Sequence, residues 1–477
     1  MSVKLLHGNR ILVLNWRDVR HPQAGGAEQY MHEIARRWVE QDVHVTWLTA
    51  RAPGAEAREM IDGIEVLRTG GALSVYPRAA AWMATRAKRF DAVVDCQNGI
   101  PFFAPLFAGA AMPVVQVVHH VHQDQFATHF SRPMAAVGRF LEGPASRAVY
   151  GRRAIAAVSP STREELRRRL GLRGPISIVP NGTHPVLGTA AAREPGPVVT
   201  LVTRLVPHKR VDLLLDSLVT VLAQIPDLKV NIVGGGSELA ALTAYAERLG
   251  LDSAVTFHGR QPDSVRDDLL SKAWLTTSTS AGEGWGCSIL EAAAWGVPCL
   301  ALKVPGVRDS VVHEHTGWLV DRAEDYAEAM VTALRELADP VRAEAVAQRC
   351  RSWAACFSWD RSAELLAAVL AYEIGAVGSP QRREARSDIT TVATLPDSEL
   401  PALAAGLRAT DEVRSDGRCT GVLLGGCDEV DAMTVLDRLG VSGANLRLAN
   451  RYDLLAGPLG APGFLTAPAV PGLEDPA

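Results

Sequence analysis

At 477 residues, with 47% hydrophobic and 21% charged residues and a net charge of −4, the chain has the balance of a globular protein large enough for two or three cores. That balance excludes a disordered or fibrous chain. The 7 cysteines form no Cys-x-x-Cys pair and no zinc-ligand spacing, which excludes a disulfide scaffold and favours a reducing compartment, the cytoplasm.

Met1–Arg10 carries charge with no apolar stretch behind it, so no secretory signal is expected. Residues 11–15 then read as a buried strand, followed by a loop with Gly25-Gly26 and an amphipathic helix from about Glu28 to Glu40. Strands are expected at 43–49, 64–67, 92–96, 114–119 and 154–158, with a helix near Pro77–Arg89. The uncharged window Ile100–Val118 holds Pro101, Pro105 and Pro113, so it reads as a buried loop and strand rather than a membrane helix. Alternation of strand with helix or loop is the pattern of a parallel doubly wound sheet.

The theme repeats after an Ala/Pro/Gly-rich stretch: strand 198–203, helix 211–224, strand 229–233, helix 238–249, strand 254–259, helix 263–271 and strand 274–279. The expected organisation is two Rossmann-like domains, 1–185 and 198–357, joined by a linker at 186–197. An amphipathic helix at 358–374, a polar linker at 375–398, a small α/β module at 399–456 and a disordered Pro/Gly/Ala tail at 457–477 complete it. Residues 407–424 faintly resemble half of a diguanylate cyclase-type domain. The signature such a domain needs would fall on Asp416–Thr420 and is missing, so a docking or regulatory role is the reading for this module.

Charge is uneven. Residues 1–190 carry 23 Lys and Arg against 15 Asp and Glu, and the remainder carries 26 against 38. A basic first half suits an anionic acceptor or peripheral contact with an anionic membrane; solvated arginines on helix faces account for it equally well. Nucleic acid is not expected as a partner.

The most informative stretch is 282–298, where Glu283 and Glu291 bracket the turn Gly284-Trp285-Gly286 between a strand and a helix stopped by Gly296-Val297-Pro298. Such glycines let backbone approach a ligand, the free N–H groups at the helix start suit a diphosphate, and the carboxylates can accept from sugar hydroxyls. Spacing alone is weak, because Glu328/Glu336 and Glu336/Glu344 share it inside an ordinary helical pattern. Arg204 and Lys209 follow strand 198–203, where two cations could meet a diphosphate leaving group.

Taken together these segments resemble the retaining family 4 glycosyltransferases of the GT-B fold, over roughly residues 10–372. Ser159-Pro-Ser161, Val179–Gly182, Gly234–Glu238, Thr316–Val320 and Ser358-Trp359-Asp360 match further recurring segments of that family. The resemblance implies a metal-independent hexosyltransferase using a UDP-, GDP- or ADP-sugar and a glycan, lipid or small-molecule acceptor, with no cofactor, in the cytoplasm or at the inner face of the cell membrane. It assigns Glu283 to the donor sugar, Glu291 to the ribose, and Arg204, Lys209, Gly284, Trp285 and Gly286 to the donor. Gly25 and Gly26 would border phosphate or acceptor, and His119 would be the active-site histidine. The 358–374 helix would cross back to the first, acceptor-side domain.

The chain departs from the family at Thr203 and Arg210, where small glycines are usual, at Asp42-Val43 in place of Gly-His, and at His120, where Asp is usual. His120 and His122 could project together from a strand, but no further metal ligand is spaced nearby, so a zinc site is not expected. The chain also lacks Asp-x-Asp, so metal-carboxylate handling of the leaving group is not expected. A sugar phosphorylase, a nucleotide-sugar epimerase or a non-catalytic nucleotide-sugar sensor would use the same scaffold.

Overall fold

The computed structural model describes residues 3–109, 111–186, 193–375, 389–396, 412–415, 419–425, 427, 429–441 and 444–450. Residues 187–192 of the expected linker and the expected disordered tail lie outside the described residues. Among the described residues, those up to Gly182 and from Trp359 on form one compact unit, and those within Thr183–Ser358 form the other.

The first unit holds β1 (Arg10–Leu14), β2 (His44–Thr49), β3 (Arg58–Ile61), β4 (Ile64–Arg68), β5 (Ala92–Gln97), β6 (Val114–Val118), β7 (Ile155–Ala157) and β8 (Ile176–Ile178), ordered β3-β4-β2-β1-β5-β6-β7-β8. All neighbours are parallel except β3 and β4. That pair is a hairpin closed by Asp62 and Gly63, both at positive φ (49° and 79°), the geometry a two-residue hairpin turn demands. Covered on both faces, β5 and β6 are buried at every residue, their polar members Asp95, Gln97 and Gln116 included.

The helix Gly26–Val39 buries Tyr30, Ile34 and Trp38, each contributing about 1.5–3 kcal/mol by leaving water. The helix Trp359–Gly375 packs against it: Arg37 pairs with Asp360 at 2.5 Å, and the Trp38 indole N–H donates to Ala363 O at 3.0 Å. Ser362 Oγ donates to Pro180 O at 2.7 Å, tying this late helix to the end of the first sheet's chain.

The second unit carries β9 (Val198–Val202), β10 (Lys229–Val233), β11 (Val255–Gly259), β12 (Leu275–Ser278), β13 (Cys299–Leu302) and β14 (Gly317–Val320) in the order β11-β10-β9-β12-β13-β14, all parallel. Strand order reverses between β9 and β12. Crevices at such reversals, beyond the carboxyl ends of the strands, are where open α/β sheets bind ligands.

Past the first unit's helix, β15 (Ile389–Pro396), β16 (Glu412–Ser415), β17 (Cys419–Gly425) and β18 (Asn445–Asn450) form an antiparallel sheet ordered β16-β17-β15-β18, backed by the helix Glu429–Arg438. This corrects the expected linker at 375–398. β15 lies inside it, with Val392, Ala393 and Leu395 buried, so the Thr-rich stretch is a core strand and the module begins ten residues earlier than composition indicated. β18 lies beside β8, the edge strand of the large sheet. No helix among the described residues is long and apolar enough to cross a membrane.

Candidate active site

In the second unit the loops after β9 and β12 flank the reversal point, and each supplies one member of an ion pair, Lys209 Nζ with Glu283 Oε1. Both side chains are largely buried, at 11% and 22% exposure. Ser280 Oγ donates to the same Glu283 oxygen at 2.7 Å, and Thr279 Oγ1 donates to Lys209 O at 3.0 Å, locking one loop to the other. Burial works to raise the Glu283 carboxyl, but Lys209, then Ser280 and His208, more than reverse it and leave it below its ordinary value. Glu283 is therefore a carboxylate at neutral pH, an acceptor only.

Gly286 sits at φ 116° and caps the helix Cys287–Ala294, whose first turn by its geometry lacks acceptors four residues back, the Ile289 N–H turning instead to Gly286 O at 3.0 Å. A Cβ on Gly286 would stand 2.5 Å from Ser310 Oγ, so this glycine is needed both for its backbone angle and for its packing. Glu291 lies one turn into that helix, 34% exposed, with Arg266 Nη1 at 3.8 Å. Burial raises its carboxyl, with Asp267 and Asp263 adding to the effect and Arg266 and His184 opposing it.

Arg204 is exposed on the β9 loop and makes no side-chain ion pair among the described residues. Lys209 and Glu283 are thus brought into contact, whereas Arg204 shares their loop without joining the pair. Trp285 is 5% exposed and packs edge-on against Phe357 at 5.1 Å, so its ring braces the turn from within. Gly284 forms the floor of the same turn beside Gly306.

Sequence reasoning missed Ser280, Arg266 and Gly306. The Pro305-Gly306 pair after β13 was the legible sign of a turn, but nothing local showed that Glu283 N–H would donate to Pro305 O at 3.0 Å. The Gly234–Gly236 run, which invites a nucleotide reading, is explained by packing. Cβ atoms on Gly234 and Gly236 would stand 1.8 and 2.0 Å from the carbonyl oxygens of Thr203 and Leu205. These glycines let the two loops at the ends of β9 and β10 cross. Arg210, at a family glycine position, takes a left-handed φ of 50°, a conformation that costs a non-glycine residue about 1–2 kcal/mol.

In the first unit, His119 follows β6 and is 7% exposed, its ring edge-on to Tyr30 at 4.9 Å and its Nε2 without a hydrogen-bond partner among the described residues. Burial, with His120 and His122 nearby, lowers its pKa to about 3, so the ring is neutral and can accept or donate one hydrogen bond. The folded state resists protonating it, so this contribution to stability is complete above the ordinary value of 6.5 and declines as pH falls towards 3. His119→Asn is expected to flatten that slope, read as a smaller loss of urea midpoint between pH 7.5 and 5 than in the parent.

His120 and His122 stack at 3.8 Å, and His122 lies 3.4 Å from the buried Glu142. No three His, Cys, Asp or Glu side chains among the described residues converge as a metal would need. Gly25 has extended backbone, and its N–H donates to Glu28 Oε2 at 2.7 Å; above Gly26 nothing lies within 4 Å of where a Cβ would stand. That open space leaves room for a ligand to approach.

Residues 189–349 match the family model Glycosyl transferases group 1, and residues 24–187 match Glycosyltransferase Family 4. The chain is 36% identical over 176 residues to a D-inositol 3-phosphate glycosyltransferase of Rhodococcus opacus (strain B4), covering 35% of this chain and 39% of that protein. It is 27% identical over 383 residues to a GDP-mannose-dependent alpha-(1-6)-phosphatidylinositol monomannoside mannosyltransferase of Mycobacterium tuberculosis (strain ATCC 25618 / H37Rv), covering 72% and 94%. The chain thus spans well under half the length of the Rhodococcus relatives it matches, 39% and 38%. Among solved structures, a sucrose-phosphate synthase from Thermosynechococcus elongatus has a TM-score of 0.61 at 21% identity over 77% of this chain and 97% of its own. Anabaena HepE in complex with UDP and glucose has a TM-score of 0.57 at 21% identity over 76% and 100%. At these identities the two structures speak to fold.

Proposed function

Because the chain belongs to the GT-B glycosyltransferases, its two halves matching the family 4 and group 1 models, we propose that it moves a hexosyl group from a nucleoside diphosphate-sugar to an acceptor hydroxyl with retention at the anomeric carbon. The observation that carries this reading is the Lys209–Glu283 pair held across the β9/β12 reversal, beside an open helix N-terminus. In the proposed reaction the bond between the anomeric carbon and the diphosphate oxygen breaks, the diphosphate leaves with that oxygen, and the acceptor oxygen bonds to the anomeric carbon on the same face. The acceptor proton passes to the departing phosphate oxygen. Negative charge growing on the diphosphate is met by Lys209, Arg204 and the first N–H groups of the Cys287–Ala294 helix. Glu283, held ionised, orients a sugar hydroxyl, Glu291 accepts from the ribose, and neutral His119 serves the acceptor.

The acceptor reading rests on the first unit. A cavity of about 280 Å³ beyond the ends of β5 and β6 is walled by Ile100, Phe103, Phe126, Phe130 and Met134, which suits an acceptor with an apolar portion. Phe130, Met134, Val137 and Phe140 are exposed along one short stretch with Arg132 and Arg139, which favours peripheral contact with an anionic membrane surface at the inner face of the cell membrane.

The reaction is proposed to need no metal. A thermal-shift screen of UDP-, GDP- and ADP-sugars, repeated in EDTA, tests both points. One nucleotide series is expected to raise Tm by several degrees, as ligand at about 100 times its Kd adds about 2.7 kcal/mol, and EDTA is expected to leave the shift and the turnover unchanged. No shift with any donor would remove the donor reading, and loss of turnover on chelation would remove the metal-free one.

A further inference from the structure

Several arginines of the first unit have a carboxylate: Arg17, Arg20, Arg36, Arg37, Arg58, Arg68, Arg168 and Arg169 are ion-paired. Four others are gathered in one place. Arg147, Arg152, Arg153 and Arg173 line a single concavity of about 670 Å³ together with Pro175 and one acidic residue, Glu373. Among the described residues, Arg147, Arg152 and Arg173 are in no ion pair, so three uncompensated guanidinium groups share this hollow.

The backbone is arranged to hold them there. Arg152 and Arg153 immediately precede β7, Arg173 precedes β8, and Arg147 lies on the helix Ser146–Tyr150. Gly171 takes a φ of 67°, and the Arg147 side chain lies across it, with Cδ and Nη1 3.2 Å from where a Cβ would stand. A Cβ on Gly174 would be 2.5 Å from Arg153 O, and one on Gly151 would be 2.4 Å from Arg147 O. Arg173 N–H donates to Gly151 O at 3.3 Å. Glycines at these three points press the two loops and the helix end together, which gathers the arginines against their mutual repulsion.

The hollow lies away from His119. β6, β7 and β8 run parallel, His119 follows the carboxyl end of β6, and the arginines sit at the amino ends of β7 and β8, the opposite rim of the same sheet. Planar guanidinium forks that outnumber the one carboxylate lining the hollow, Glu373, suit an anion with several oxygens, bound through paired charge-assisted hydrogen bonds.

We propose that this concavity is a second ligand site, specific for a phosphate or diphosphate group, carried by a free metabolite or by a lipid headgroup. Arg147 and Arg173 bind it from the two sides, and occupancy supplies negative charge to Arg147, Arg152 and Arg173, which are in no ion pair among the described residues. The site is independent of the sugar donor.

The test uses the full chain, the double variant Arg147→Ala/Arg173→Ala and Lys209→Ala, with two probes: inorganic pyrophosphate by calorimetry, and phosphatidylcholine vesicles with about 30% phosphatidylglycerol by co-sedimentation. Both arginines are exposed, so the double variant is expected to melt as the parent does. Pyrophosphate binding that survives Lys209→Ala but weakens at least about tenfold in the double variant assigns the site to a free phosphate ligand. A comparable loss confined to vesicle binding assigns it to a headgroup. Binding of both probes that is unchanged in the double variant, or absent from the parent, overturns the proposal.

Discussion

Lys209→Ala is expected to lower turnover by on the order of 100-fold, the usual consequence of removing one charge aimed at a developing anion. The same change strips Glu283 of its principal counter-charge. With burial then opposed only by Ser280 and His208, the carboxyl should move from below its ordinary value to above it. In the parent, a depressed Glu283 contributes stability that is present above its ordinary pKa of 4.5 and is lost as pH falls through the lower folded value. In the variant that contribution disappears at neutral pH, and stability should fall by about 1–3 kcal/mol, a breaking-of-pair cost reduced because the carboxylate keeps some exposure to water.

A second substitution separates the two effects. Glu283→Gln in the Lys209→Ala background removes the stranded charge, so urea melts at pH 7 should recover most of the lost stability while turnover stays low. Turnover near the parent's in Lys209→Ala would dismiss this lysine from the leaving-group role. Full recovery of turnover in the double variant would make the pair a purely structural latch.

How much of this was readable in the chain depends on what each feature rests on. The helix Val211–Gln224 and the strand Lys229–Val233 lie where periodicity puts them, because each buries one continuous face; the helix Asp263–Ser271 also lies where expected, though only Leu270 and Ser271 are buried. β3 escaped notice since Arg-Glu-Met-Ile is an edge strand with little apolar character, although the Asp62-Gly63 turn after it is a hairpin signal. β15 escaped because Thr-rich strands resemble polar linkers until their neighbours bury them. At the site, the residue types of 283–291 were legible, and so was the helix start at Cys287. The Lys209–Glu283 contact was not, since 74 residues of intervening chain must fold before the β9 and β12 loops become neighbours. The packing of Trp285 was hidden for a related reason: an aromatic residue in a glycine-rich turn looks available, and its partner Phe357 is distant in sequence.

Gly306→Ala is expected to be among the most damaging small changes in the second unit. At φ 79° a side chain is already strained, and its Cβ would stand 2.1 Å from Glu283 O and 2.6 Å from Glu283 C. Those are backbone atoms, so no rotamer change relieves the overlap and the two loops must part. A loss of about 2–3 kcal/mol follows from strain and overpacking together. Because the atoms displaced belong to Glu283, the carboxylate should move with them, and a shift of about 1 Å in a positioning group can cost on the order of 100-fold in rate. Gly282→Ala, one residue before Glu283, supplies the contrast: nothing lies within 4 Å of its Cβ position and its φ is not positive. Its melting should match the parent's within about 0.5 kcal/mol. If Gly282→Ala nonetheless impairs turnover, the space above it is where substrate comes close. If Gly306→Ala melts like the parent, the proposed clamp of the Pro305-Gly306 turn on the Glu283 loop does not hold that loop in place.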